Sequence, residues 1–327
     1  MEIHQIATKR SWQHNYAYDL VYEWEDIFSE LMNVPFHFEK AFIYNRYFKL
    51  IPFLPTLFQT KALTLEFEMS CISSHWFTNR KRNIIPFIID FYPQEKGLYG
   101  LEMFNRLYSI HPVVFVSSAE VYEYLMSLGK NLKVNVKHVA LSLSDKYRLD
   151  PKKTIHKEYD LVLMGRQSPV FLDYLERYKQ THPDFLYVYN KRINGKCLYY
   201  TSNGILIDDI NTRTKYMTLL KKARCAFYTT PGIDSEKNTN GFNQITPRFL
   251  ELLSCGCHIL ARYEDNADAR YYEIDKFSKK IETFEEFESA LDYGRNNKVD
   301  LNWYSKYLEK HYTSTRVNQV KEIINYL

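Results

Sequence analysis

The chain has 327 residues, more than one ordinary domain holds and a comfortable length for two. Hydrophobic residues make up 45% and charged residues 25%, the balance of a globular protein, and a net charge of +4 is too small to point to nucleic acid. No apolar run approaches the roughly eighteen residues a membrane span needs, and the opening MEIHQIATKRSW lacks a signal-peptide core, so a cytoplasmic protein is expected. The five cysteines, Cys71, Cys197, Cys225, Cys255 and Cys257, are odd in number and scattered, which fits reduced thiols.

The first half opens on a short candidate strand, EIHQIA. YDLVYEWEDIFSELM (18–32) then puts Leu20, Trp24, Ile27, Phe28 and Leu31 on one helical face. ALTLEFEM alternates as a strand does, while NIIPFIIDF and HPVVFVSS are continuous apolar runs, the pattern of strands covered on both faces. SSAEVYEYLMSLGK starts on a capping serine and stops at Gly129, and VKHVALSL is a further strand. SDKYRLDPKKTIHKE (144–158) is charged, has no apolar periodicity and reads as a linker.

After it the strand–helix alternation restarts. YDLVLMG (159–165) is a strand that stops at Gly165, and SPVFLDYLERYKQ is a helix with Ser168 as N-cap and Pro169 at its first position. FLYVYN, TKYMTLLKKA and CAFYTTPG follow as strand, helix and strand. TFEEFESALDYG is a helix whose Thr283 and Glu286 make a capping box, and STRVNQVKEIINYL closes the chain as a helix. Strands alternating with helices predict an α/β protein built on parallel sheets.

Between CAFYTTPG and the closing helices stands GFNQITPRFLELLSCGCHIL (241–260), a polar entry, a helix and a strand. Proline suits a first helical position, which makes Thr246 the expected N-cap and Arg248 the second helical residue. An arginine in a first turn opposes the helix dipole, and an anion held there is a reason for it. Glu251 follows on the same face, either paired with Arg248 or accepting from the hydroxyls of a ribose. Cys255-Gly256-Cys257-His258 has no second ligand cluster at a matching spacing, so no metal is expected.

NQITPRFLELLSCGCHIL resembles the donor-binding signature of GT-B glycosyltransferases, in particular the spore-maturation-type branch of the glycosyl transferases group 1 family. There a Thr-x-Arg-x-x-Glu helix precedes a small residue, Cys-Gly and a strand. EYDLVLMGRQSP, YMTLLKKARCAFYTTPG, IETFEEFESAL and the terminal YLEKHYTSTRVNQVKEIINYL resemble other parts of that family in the same order, so the likeness spans roughly residues 157 to 327. It implies a GT-B fold, two Rossmann-like lobes with parallel sheets facing a central cleft. The lobes would be an acceptor domain over 1–153 and a nucleotide-sugar domain over 154–305, with a helix over 306–327 packing toward the first lobe. The implied activity is transfer of a sugar from a nucleotide-sugar to a glycan, glycolipid or other hydroxyl acceptor, without metal or cofactor. A UDP-sugar is the expected donor, with GDP- and dTDP-sugars as alternatives.

By that resemblance Arg248 lies near the donor diphosphate, Glu251 near the ribose, and Gly165 and Arg166 on the loop facing the cleft, with Thr246 at the helix start. The wider family places a second glutamate eight positions before Glu251; here that residue is Asn243. Transfer requires stabilisation of the leaving diphosphate and, with inversion, a base for the acceptor hydroxyl. Asp90, ending NIIPFIID, is one candidate base or else a turn cap, and His14 is another or else a surface histidine. Arg46, Lys49, Arg80, Lys81 and Arg82, interleaved with aromatics such as Tyr47, Phe48 and Trp76, either dock the first lobe peripherally on a membrane carrying a lipid-linked acceptor or belong to its core and solvated surface. Two rival readings are a nucleotide-sugar 2-epimerase and a non-catalytic GT-B relative that binds a glycan or partner protein.

Overall fold

In the computed structural model, which describes residues 1–39, 62–70, 83–94, 100–234 and 239–327, the chain divides into two units. The first comprises Met1–Asp145, Lys237–Gln244 and Tyr312–Leu327; the second comprises Lys146–Glu236 and Ile245–His311. The resemblance implied divisions after residues 153 and 305.

Among the described residues the first unit holds six strands: β1 (Gln5–Thr8), β2 (Phe36–Phe38), β3 (Thr64–Ser70), β4 (Ile84–Asp90), β5 (Val114–Val116) and β6 (Val136–His138). They lie in the order β2-β1-β3-β4-β5-β6, and every neighbouring pair is parallel. Helices α1 (Asp19–Met32), α2 (Leu101–Tyr108) and α3 (Ala119–Ser127) accompany them. Trp24 and Phe28 of α1 are buried as the helical period predicts, whereas Leu31, in the last turn, is exposed. They meet Leu65 and Phe67 of the sheet and Val317, Val320 and Ile324 of the C-terminal helix Thr313–Asn325. The Trp24 indole N–H donates to the buried Ser142 carbonyl at 3.1 Å, so the ring fills the core without stranding its polar edge. A run of rings links α1 to the sheet: Phe28–Phe67, Phe67–Phe87 and Phe87–Phe115 have centroids 5.2, 5.1 and 6.0 Å apart. These rings serve packing.

Glu25 of α1 is buried beside the end of β1, where one oxygen accepts from the Thr8 hydroxyl at 2.6 Å and from Arg10 Nε at 3.3 Å. Burial outweighs these partners and raises its pKa from 4.5 to about 7. The folded state therefore holds the proton more tightly than the unfolded chain, and stability falls as pH rises from about 4.5 to 7. Glu25→Gln should remove this decline, gaining about 3 kcal/mol on the wild type between pH 4 and pH 8. Urea unfolding of both proteins at the two pH values is the check; a constant difference between them would contradict the assignment.

The second unit's described strands are β7 (Tyr159–Val162), β8 (Tyr187–Ile193), β9 (Lys196–Thr201), β10 (Leu206–Asp209), β11 (Ala223–Thr229) and β12 (His258–Arg262). Their order is β10-β9-β8-β7-β11-β12. From β8 to β12 the pairs are parallel, but β9 and β10 extend the sheet antiparallel. The extension departs from the all-parallel expectation. Its cause is local: Asn194 and Gly195, with φ of 50° and 77°, form a tight hairpin whose twist suits an antiparallel pair.

The helices of this unit are α4 (Pro169–Thr181), α5 (Arg213–Lys221), α6 (Arg248–Ser254), α7 (Ala267–Tyr271), α8 (Phe284–Asn296) and α9 (Leu301–Leu308). Ser168 caps α4 by accepting from Val170 N–H at 3.2 Å, and both bonds of the Thr283–Glu286 capping box form at α8. Phe171 of α4, Phe227 of β11 and Phe287 of α8 pack in one core cluster.

Among the described residues no helix is long and apolar enough to cross a membrane. Arg46, Lys49, Arg80, Lys81 and Arg82, with the aromatics between them, lie outside the described residues.

Candidate functional site

The carboxyl end of β7 carries the loop that the sequence singled out. Leu163 and Met164 are buried, and Gly165 turns the chain with φ of 64°. The Gln167 side chain donates to Met164 O at 2.8 Å, and the Ser168 hydroxyl donates to Asp234. Arg262, ending β12, holds the other Asp234 oxygen at 2.9 Å, so the loop is tied to the strand beyond β11 in the sheet.

Arg248 reaches this loop from α6. Its Nη1 donates to the Arg166 carbonyl at 3.2 Å, and its guanidinium lies against Gly165. A Cβ at Gly165 would overlap Nη2 and stand 3.0 Å from Cζ, so a side chain there would displace the guanidinium, and the backbone angle itself favours glycine. Arg248 Nε is buried without a hydrogen-bond partner among the described residues. Burial opposes the charge, but Tyr216 and Glu251 outweigh it and hold the pKa above the usual arginine value.

Glu251 is buried, and its two oxygens go to α5: Arg213 Nη2 donates to Oε1 at 2.6 Å and the Tyr216 hydroxyl to Oε2 at 2.8 Å. The intrahelical pair with Arg248 does not form. Burial and the Glu251 carboxylate push the Tyr216 phenol well above its normal pKa, so it remains a donor. Arg213 and Tyr216 escaped the sequence reading. A signal was present, because Arg213 follows the capping Thr212 and opposes the helix dipole as Arg248 does.

Thr246 is not the N-cap. Pro247 occupies that position with φ −55° and ψ −22°, no side chain caps α6, and Arg248 is the first helical residue. The Thr246 N–H donates to the hydroxyl of the buried Tyr228 at 3.0 Å, which fixes the chain just ahead of the helix.

The remaining candidates belong to the first unit. Asp90, half-buried, ends β4, and His14 is exposed in the segment after β1, so both follow carboxyl ends of the first sheet. Asn243 is buried; its N–H donates to Glu120 of α3 at 2.8 Å and its side chain to Gly241 O at 2.9 Å. The adjacent Gln244, also missed in the sequence, donates to Ile89 O at 2.6 Å and to the Ser117 hydroxyl at 2.7 Å. Gly165, Arg166 and Arg248 therefore come together, Glu251 stands with Arg213 and Tyr216, and Asn243 is engaged within the first unit.

No protein-family model matches the chain, and no curated protein sequence does. Solved structures do resemble it in fold. A pneumococcal O-GlcNAc transferase in complex with UDP and GlcNAc aligns with a TM-score of 0.53 at 9% identity, covering 84% of this chain and 58% of that one. The UDP-GlcNAc 2-epimerase of Methanocaldococcus jannaschii, in complex with UDP-GlcNAc and UDP, aligns with a TM-score of 0.52 at 10% identity over 100% of both chains. A putative UDP-N-acetylglucosamine 2-epimerase from Listeria monocytogenes gives 0.52 at 11% identity, covering 99% of this chain and 96% of that one. This chain thus spans little more than half the transferase's length. Its two Rossmann-like units define the fold class: α/β of the GT-B type.

Proposed function

We propose that the protein is a nucleotide-sugar-dependent glycosyltransferase whose donor diphosphate binds at Arg248 and the Gly165–Arg166 loop. The observation that carries this reading is the Arg248 guanidinium, held charged against a glycine loop at the carboxyl edge of the second sheet, with its Nε unpartnered among the described residues. In α/β sheets that edge is where ligands bind. A guanidinium matches phosphate geometry and steadies the charge that builds on the leaving diphosphate. Glu251 accepts one bond at each oxygen among the described residues, which leaves acceptor capacity for ribose hydroxyls.

In the transfer, the bond from the anomeric carbon to the diphosphate oxygen breaks and its electron pair leaves with the nucleoside diphosphate. The acceptor oxygen bonds to that carbon and gives up its proton, with Asp90 or His14 as the candidate base. A UDP-sugar is the donor we favour, and a glycan or lipid-linked hydroxyl the acceptor. Neither a metal nor a cofactor is part of this reading.

A 2-epimerase is the second reading, favoured by full-length alignment with an epimerase where the transferase is covered only in part. Melting curves with UDP, GDP, dTDP and CDP test the nucleotide, since a ligand at about 100 times its Kd stabilises the native state by roughly 2.7 kcal/mol. The stabilising nucleotide's sugar conjugates are then incubated with the protein. Slow release of free sugar supports a transferase and C2 interconversion an epimerase; no shift with any nucleotide would overturn both.

A further inference from the structure

At the opposite, amino edge of the second sheet lies a cavity of about 460 Å³. It opens between the 151–157 segment leading into β7, the starts of β11 and β12, and the turn entering α9. Five cationic side chains line it, Lys152, Lys153, Lys157, Arg224 and Lys298, and no carboxylate does. The volume is within the roughly 300–1,000 Å³ of small-molecule sites.

The positive charge is only partly compensated. Lys157 Nζ donates to Ala223 O at 2.6 Å and Cys255 O at 2.8 Å, so its partners are neutral carbonyls. Lys153 and Arg224 have their nearest carboxylates, Asp150 and Asp160, only at 3.9 Å, beyond hydrogen-bond reach. Lys152 and Lys298 are exposed and form no ion pair among the described residues. Like charges gathered around one hollow repel each other, and an anion entering it relieves that repulsion.

His258 also lines the cavity. Its Nε2 lies 3.0 Å from Asn297 O, which requires Nε2 to carry the hydrogen and leaves Nδ1 open to protonation. Burial, aided by Lys157, keeps the free imidazole's pKa low, and a nearby anion reverses that influence. Ile155, Val299 and Leu301 give the wall an apolar part, beside the polar Thr154, His156 and Asn297. Gly256 allows this close wall, since a Cβ there would meet Ile155 and Leu301 at 3.0 Å. A basic rim over an apolar wall suits an organic phosphate better than a bare inorganic ion.

We propose that this cavity is a second ligand site that binds a small phosphate-bearing organic anion, separate from the Arg248 site at the other edge of the same sheet. Fructose 1,6-bisphosphate and inorganic pyrophosphate are suitable calorimetric probes of the full chain, each titrated at low and at moderate salt. The bisphosphate should bind, and more weakly as salt rises. Lys152→Glu/Lys298→Glu, a change confined to exposed positions, should weaken that binding about tenfold or more without lowering the melting temperature. Arg248→Ala should leave it unaltered, which keeps this site's fate separate from that of the donor site. The proposal is overturned by absence of bisphosphate binding at either salt, by binding to pyrophosphate alone, or by loss of affinity in Arg248→Ala with retention in the charge-reversed variant.

Discussion

Arg248→Ala is expected to weaken binding of the cognate nucleoside diphosphate by about 1.5–3 kcal/mol, roughly 10- to 150-fold, and to depress transfer at least as much. The fold should lose little, because the guanidinium binds the exposed Arg166 carbonyl at 3.2 Å and forms no ion pair among the described residues. Two features make the loss specific to an anion. The side chain is held charged, and its Nε has no hydrogen-bond partner among the described residues. Calorimetry on wild type and variant, with the nucleotide found by the melting screen, measures the effect. Equal affinities would remove Arg248 from the site and with it the proposed leaving-group stabilisation.

Arg213→Leu should be the more damaging change to the fold. The Arg213 and Glu251 side chains are 11% and 4% exposed, and their 2.6 Å contact is an ion pair largely removed from water. Taking away one partner leaves a buried carboxylate with the Tyr216 hydroxyl as its remaining donor, at a cost of about 3–5 kcal/mol. Replacing both residues, Arg213→Leu/Glu251→Leu, removes the stranded charge and should recover most of that loss. Nucleoside affinity should stay low in the double variant, because the acceptor for ribose is gone. Urea unfolding of the three proteins separates these effects. A loss below about 1 kcal/mol in the single variant would show that the pair does not hold α5 to α6.

The elements most legible in the sequence were those whose causes are local. NIIPFIID and YDLVLMG carry near-continuous apolar runs, and each became a strand paired on both sides, β4 and β7. Ser168-Pro169 and the Thr283–Glu286 box mark helix starts because capping bonds link residues only two or three positions apart. Gly165 and Arg248 were also visible, one as the stop of a strand and the other as a cation placed against a helix dipole. The start of α6 was less so. Proline fits both the cap and the first helical position, and the choice between them went with Thr246 being drawn to Tyr228, 18 residues away.

The sequence by itself determined the alternation of strands and helices, the capped helix starts and the glycine at the end of β7, since each depends on periodicity or on neighbours within a turn. Only the tertiary structure decided that β9 and β10 extend the second sheet antiparallel, that Gln244 anchors to Ile89, and that Glu251 answers Arg213 and not Arg248. Those partners lie 155 and 38 residues apart, and no local pattern encodes them. The physical reason is desolvation: a buried amide or carboxylate must find donors and acceptors wherever the fold delivers them, and which ones arrive is known only once the chain has closed around it.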